Sequence, residues 1–165
     1  MKERCTELGK KMRYANPALF VAAITAMSYI PSLAWWLIED VVGIPDVRWF
    51  PDPAMDNFGP ALFFIMAVIA VPLTETLIFQ KLIYFLMSRT RYFRRHRGWI
   101  VAVSAVIFGL NHFYSLFYII WAGLVGALFM WGYIIRLHRG AFWLIAASHA
   151  LINLLSLIAD RIGTG

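Results

Sequence analysis

At 165 residues, with 61% hydrophobic, 15% charged and a mean hydropathy of +0.69, the chain is too apolar for a soluble domain, in which about a quarter of residues carry charge. The length suits one small domain, and once hydrocarbon-spanning segments are assigned there is no room for a separate soluble catalytic unit. The net charge of +6 would suggest a nucleic-acid partner for a soluble protein, but here it has to be read against membrane topology.

Residues 1–16 form a basic tail with Lys2, Arg4, Lys10, Lys11 and Arg13, and hold the one cysteine, Cys5, which cannot form an internal disulfide. Residues 17–38 carry no charge and are long enough to cross a core of about 30 Å at about 1.5 Å per residue, predicting an accessory span. Ser32-Leu33-Ala34 would suit cleavage of a signal peptide, but the long charged lead-in argues for a retained helix. An acidic loop follows at 39–59, where Glu39, Asp40, Asp46, Asp52 and Asp56 face a single Arg48 among Pro45, Pro51 and Pro53. Its charge suits recruitment of a basic peptide, or simple solvation.

Pro60 to Met87 reads as a second span, interrupted by Glu75, Gln80 and Lys81. Gly98 to Ile135 holds no Asp, Glu, Lys or Arg and would make one helix of about 57 Å, so it divides into two short spans turning near Phe113 to Ser115. In the second of these, Ala122-x-x-x-Gly126 and Gly123-x-x-x-Ala127 allow close approach of a neighbouring helix, read as bundle packing. Ala141 to Ala159 is the fifth span, and 160–165 a C-terminal tail. The expected fold is an all-α polytopic transmembrane bundle of about five spans.

Twelve of the fifteen Lys and Arg fall before the first span, between the second and third (Arg89 to Arg97), or between the fourth and fifth (Arg136, Arg139). The positive-inside rule then places the N-terminus in the cytoplasm and the C-terminus outside, with Trp35, Trp36 and Trp49 in the outer aromatic belt and Trp99 and Trp143 in the inner one, and the compact form suggests a prokaryotic plasma membrane. The same rule accounts for the basic run Arg89 to Arg97, so no nucleic-acid partner is expected. The expected partners are the lipid bilayer and a membrane-associated peptide or protein.

An acidic side chain at mid-bilayer costs about 2.5 to 3.5 kcal/mol on insertion scales, so Glu75 needs a reason. Counting at about 1.5 Å per residue from the basic side puts Glu75 near 18 Å, His112 near 20, His149 near 12 and Asn153 near 18 Å deep. His149 and Asn153, at i and i+4, share a helix face. Three helices thus bring a carboxylate, two imidazoles and an amide into one layer, an assembled site or an interhelical hydrogen-bond cluster. Pro72 should deprive the carbonyl of Val68 of its donor and kink the helix beside Glu75.

These residues carry a resemblance. Pro72-Leu73-Thr74-Glu75-Thr76-Leu77-Ile78-Phe79-Gln80, then Phe108-x-x-x-His112, then His149-x-x-x-Asn153, resemble the motifs of the CPBP family (CAAX protease and bacteriocin-processing, also called Abi). Those motifs are Glu-Glu-x-x-x-Arg, Phe-x-x-x-His and His-x-x-x-Asn or Asp, in this order on separate membrane helices. The resemblance covers Pro60 to Ala159 and implies a four-helix catalytic core over 60–159, intramembrane peptide-bond hydrolysis, and Glu75 as the catalytic glutamate. Relatives trim prenylated proteins in eukaryotes and are linked in bacteria to bacteriocin maturation, self-immunity and peptide signalling. Thr76 stands where the family has its second Glu and Gln80 where it has Arg; at i and i+4 they are expected to supply a neutral hydrogen-bonded substitute.

In the favoured chemistry, Glu75 is the general base that activates water, while His112, His149 and Asn153 donate to the developing oxyanion, with Thr76, Gln80 and Phe108 in support. No metal is needed. In the alternative, Glu75, His112 and His149 ligate zinc, which leaves no second intramembrane carboxylate as base. His96 and His138 lie among arginines and read as solvated. Ser104, Ser115 and Ser148 have no base at helical spacing, which disfavours a nucleophilic mechanism. A bis-His haem site on His112 and His149, or an ion pathway through Glu75, has less support than hydrolysis. The non-enzymatic reading is an inactive relative that binds a peptide, as an immunity protein would.

Overall fold

The computed structural model describes residues 2–34, 37 and 59–163, with side chains described from Glu7 to Ile162 within these limits. The acidic segment 39–58, Trp35, Trp36 and Trp49 lie outside the described residues. Among the described residues there are seven helices: α1 (Lys2–Tyr14), α2 (Pro17–Ser28, continuing as a span to Ala34), α3 (Pro60–Met87), α4 (Arg91–Arg95), α5 (Arg97–Leu110), α6 (Leu116–Ile135) and α7 (Ala141–Gly163). The basic tail is thus a helix, and the last span runs on past Ala159.

Local chemistry sets the helix starts. Asn16 accepts from the Ala18 N–H at 2.9 Å and is followed by Pro17 in the first helical position, so α2 begins there. Ser115, in extended backbone, accepts from the Tyr118 N–H at 3.0 Å and starts α6. Between α6 and α7 the chain reverses through His138 and Gly140, both at positive φ, the second without steric penalty.

Among the described residues, four helices are long and apolar enough to cross a membrane: Pro17–Ala34, Pro60–Met87, Leu116–Ile135 and Ala141–Ile162. The protein is therefore an all-α, multi-pass membrane bundle. The fifth expected span is shorter: α5 has 14 residues, about 21 Å at 1.5 Å per residue. It ends at Leu110, so the break begins at Asn111, two residues before the expected turn, and His112 sits within it. Asn111 and Ser115 bracket the break, residues whose short polar side chains serve turns and caps better than helix interiors.

Glycine lets α5 and α6 approach closely. A Cβ on Gly109 would lie 2.6 Å from the Ile119 carbonyl oxygen, and one on Gly126 would lie 2.8 Å from the Phe108 Cβ. The small-residue pattern of α6 is packing, as expected, with Gly109 as its counterpart on α5. A second core, of Phe20, Ile24, Val125, Phe129, Ile145 and Ile152, joins α2, α6 and α7.

Arg136 lies between α6 and α7, as expected, but is buried there. It is 4% exposed and donates to the carbonyls of Arg13 at 3.0 Å and Ala15 at 2.6 Å, with its guanidinium 4.6 Å from the Phe20 ring centroid. It closes the carbonyl end of α1, where a cation and donors are both favoured.

Gly109→Ala should cost about 1 to 3 kcal/mol, because the added methyl meets backbone rather than a movable side chain. Gly98→Ala, whose Cβ would meet nothing within 4 Å, should stay within about 0.5 kcal/mol of the parent. Thermal midpoints in one detergent, measured side by side, check the contrast.

Candidate functional site: a carboxylate between two imidazoles

α3 is not a uniform α-helix. Two π-helical stretches, Met66–Ala70 and Thr76–Leu82, flank the short α-helical turn Val71–Glu75. Pro72 explains part of this. The Val71 N–H bonds to the Met66 carbonyl, five residues back, instead of to Ala67, and Pro72 has no N–H to offer in its place. Asn153 of α7 supplies the missing donor: its Nδ2 lies 2.8 Å from the Ala67 oxygen. The carbonyl expected to be freed is that of Val68; the one that Asn153 meets is that of Ala67, one residue earlier, where the helix widens ahead of the proline.

Glu75 ends that central turn. Its Oε1 lies 3.9 Å from His112 Nε2 and its Oε2 lies 3.7 Å from His149 Nε2. All three side chains are largely enclosed, at 15% exposure for Glu75 and His112 and 9% for His149. His112 Nδ1 donates to the Phe108 carbonyl at 2.8 Å, one turn back at the end of α5. That bond fixes the ring and, in the neutral tautomer, leaves the Nε2 lone pair facing the carboxylate. His149 Nδ1 is buried without a partner.

Phe108 has a visible task. It is 2% exposed, and its ring lies 4.6 Å from that of His112 and 6.0 Å from that of His149, with Phe79 edge-on at 5.2 Å. Phe129 closes the other side of His149 at 5.1 Å. Both imidazoles are held against aromatic walls that also exclude lipid.

The structure thus brings together three of the four expected residues, Glu75, His112 and His149. Asn153 contacts α3 two turns before Glu75, at Ala67, with one amide hydrogen committed to that carbonyl. Thr76 and Gln80 are fully buried, but the expected bond between them is not made: Thr76 Oγ1 and both ends of the Gln80 amide have no hydrogen-bond partner. They lie in the π-helical stretch, where the α-helical i, i+4 geometry behind that expectation does not apply.

The serine hydroxyls are spent on backbone, with Ser104 donating to the Phe79 carbonyl at 2.8 Å and Ser148 to that of Leu144 at 2.9 Å, while Ser115 caps α6. His96 and His138 are exposed, as expected. For zinc, among the described residues no group of three or more His, Cys, Asp or Glu is arranged to hold a metal ion. Glu75, His112 and His149 as they stand do not form such a set.

A multi-pass helical membrane protein with a carboxylate enclosed by two imidazoles is the class these features define. Residues 57–155 match the family described as type II CAAX prenyl endopeptidase, Rce1-like, and the chain belongs to that family, a branch of the CPBP intramembrane proteases. The match takes in all of α3, α5 and α6 and α7 as far as Leu155, and so every residue of the cluster. No curated protein and no solved structure matches the chain.

Asn153→Leu should destabilise the bundle by about 1 to 3 kcal/mol, the cost of leaving the Ala67 carbonyl unpaired in a buried setting. Denaturant titration of the purified protein, compared with Asn153→Gln, measures it.

Proposed function

We propose that the chain is an intramembrane endopeptidase that hydrolyses a peptide bond in a membrane-associated peptide or protein, with Glu75 as general base. The observation that supports this most is the geometry at Glu75: two imidazole nitrogens at 3.7 and 3.9 Å, too far for direct hydrogen bonds and suited to one bridging water. In this reading the water donates one hydrogen to Glu75 and the other to the His112 lone pair, which the Phe108 bond keeps available. Glu75 takes the proton as the water oxygen attacks the carbonyl carbon, then passes it to the departing amine.

His149 is the oxyanion donor. Placing its hydrogen on Nε2 leaves a lone pair, rather than an N–H, unpartnered at the buried Nδ1, the cheaper arrangement. His112 is therefore a water ligand in this mechanism, not a third donor. Asn153 is a positioning residue that fixes α7 on α3. Phe108 holds both rings in register, and the CAAX prenyl description of the family makes a peptide with a lipid-modified C-terminal cysteine the first substrate to try.

The four helices α3, α5, α6 and α7 form the catalytic core in this proposal. The positive-inside distribution supports an N-terminus in the cytoplasm and a C-terminus outside, and the compact form suits a plasma membrane of prokaryotic type. A second reading, a peptide-binding relative without catalysis, is favoured by one observation: Thr76 and Gln80 give Glu75 no paired charge or hydrogen-bonded network beside it.

Glu75→Gln should reduce cleavage of a farnesylated peptide by about 10²- to 10⁴-fold in proteoliposomes, with unchanged thermal stability. Undiminished cleavage would rule out Glu75 as base, and no cleavage by the parent across a panel of lipidated and unmodified peptides would favour the binding reading. Prolonged chelation should leave the rate within about twofold; loss of activity that zinc restores would replace the metal-free mechanism.

A further inference from the structure

Lys81 has no part in the chemistry above. It stands inside the span Pro60–Met87, six residues after Glu75, and is exposed on the surface of the bundle. A lysine at this depth is costly unless its charge is matched or reaches the interface. Among the described residues no carboxylate pairs with it; its Nζ lies 5.4 Å from the Phe142 ring centroid.

Lys81 forms part of the wall of a groove of about 600 Å³ between α3, the end of α6 and the start of α7. The groove runs along α3 from Leu77 to Ser88, about 16 Å at 1.5 Å per residue, close to half of a hydrocarbon core of about 30 Å. It therefore has the length of one leaflet, from the boundary toward the midplane. Its surface is mostly apolar, with Phe85 on one side and Phe142 on the other, and His138 lies at the boundary end. The Arg89 guanidinium, 4.4 Å from the Phe85 ring centroid, adds a permanent cation there. No described carboxylate forms an ion pair with Arg89 or His138 either.

We propose that this groove binds an anionic phospholipid, with one acyl chain along Leu77 to Phe85 and the phosphate held by Lys81 and Arg89. Charge complementarity selects the headgroup. A zwitterionic lipid would bring its own cation to a mouth already lined by cations, whereas an anionic one supplies the missing negative charge. The apolar length selects a chain over a soluble phosphate.

The test uses the full chain in detergent, with dioleoyl phosphatidylglycerol and dioleoyl phosphatidylcholine as probes, bound lipid counted by native mass spectrometry. Phosphatidylglycerol should bind more tightly. Lys81→Gln and Arg89→Gln should each weaken it about fivefold and leave phosphatidylcholine unchanged, whereas Lys11→Gln on α1 should alter neither. Leu82→Trp, which fills the groove without touching the charges, should also weaken it. Equal binding of the two lipids, or a preference that survives Lys81→Gln, overturns the proposal. So does stoichiometric displacement of phosphatidylglycerol by a farnesylated peptide, which would assign the groove to a substrate's lipid tail.

Discussion

A bilayer core offers no hydrogen bonds, so every backbone group that a sequence irregularity releases there needs a partner from the protein itself. This constraint shapes the bundle more than any single apolar contact. Pro72 and the widened helix before it release the Ala67 carbonyl, and Asn153 answers from another helix. The Phe79 carbonyl, between Glu75 and the end of α3, is answered by Ser104 of α5. Thr25 of α2 adds a further tie, donating to the Ser148 carbonyl within the regular helix α7 at 3.4 Å. The result is a set of polar ties between helices that apolar surfaces alone would let slide, because lipid competes for apolar contact as well as protein does.

The carboxylate depends on those ties. Glu75 lies between two π-helical stretches on a helix whose two halves are anchored separately, by Asn153 on one side and Ser104 on the other. Its neighbours are anchored as well. His112 is tethered to its own helix through Phe108, and Phe108 is pressed against Gly126 where α5 meets α6. A substitution in that seam would reach the imidazole through one ring, without touching a polar atom.

Much of this was legible beforehand, for identifiable reasons. Depth counting works because a spanning helix rises steadily, and it puts Glu75, His112 and Asn153 within about 2 Å of one level with His149 about 6 Å shallower, whereas the structure sets His149 against Glu75 and Asn153 against Ala67. The small residues of α6 announced a close neighbour. Asn153 was legible as important but not in its task, since its partner is a main-chain oxygen exposed only by a change of helical register. Arg136 counts as one more loop cation until the fold shows the end of α1 waiting beside it. A hydrogen bond between Thr76 and Gln80 presumes α-helical spacing, which their segment does not have. The break at Asn111 had its signal in two flanking polar residues, weaker than the Gly or Pro usually sought.

The shortness of α5 bears on how water reaches a polar cluster in a dry solvent. Its 14 residues reach about 21 Å, some 9 Å less than an ordinary hydrocarbon core, and the chain turns back through an exposed Asn111. A bilayer meets such a mismatch by thinning beside the protein, drawing headgroups and their hydration down toward the turn. His112 lies in that turn, adjacent to Asn111. A helix this short would dent the membrane locally, bringing bulk solvent within a few residues of a carboxylate otherwise enclosed in protein and lipid.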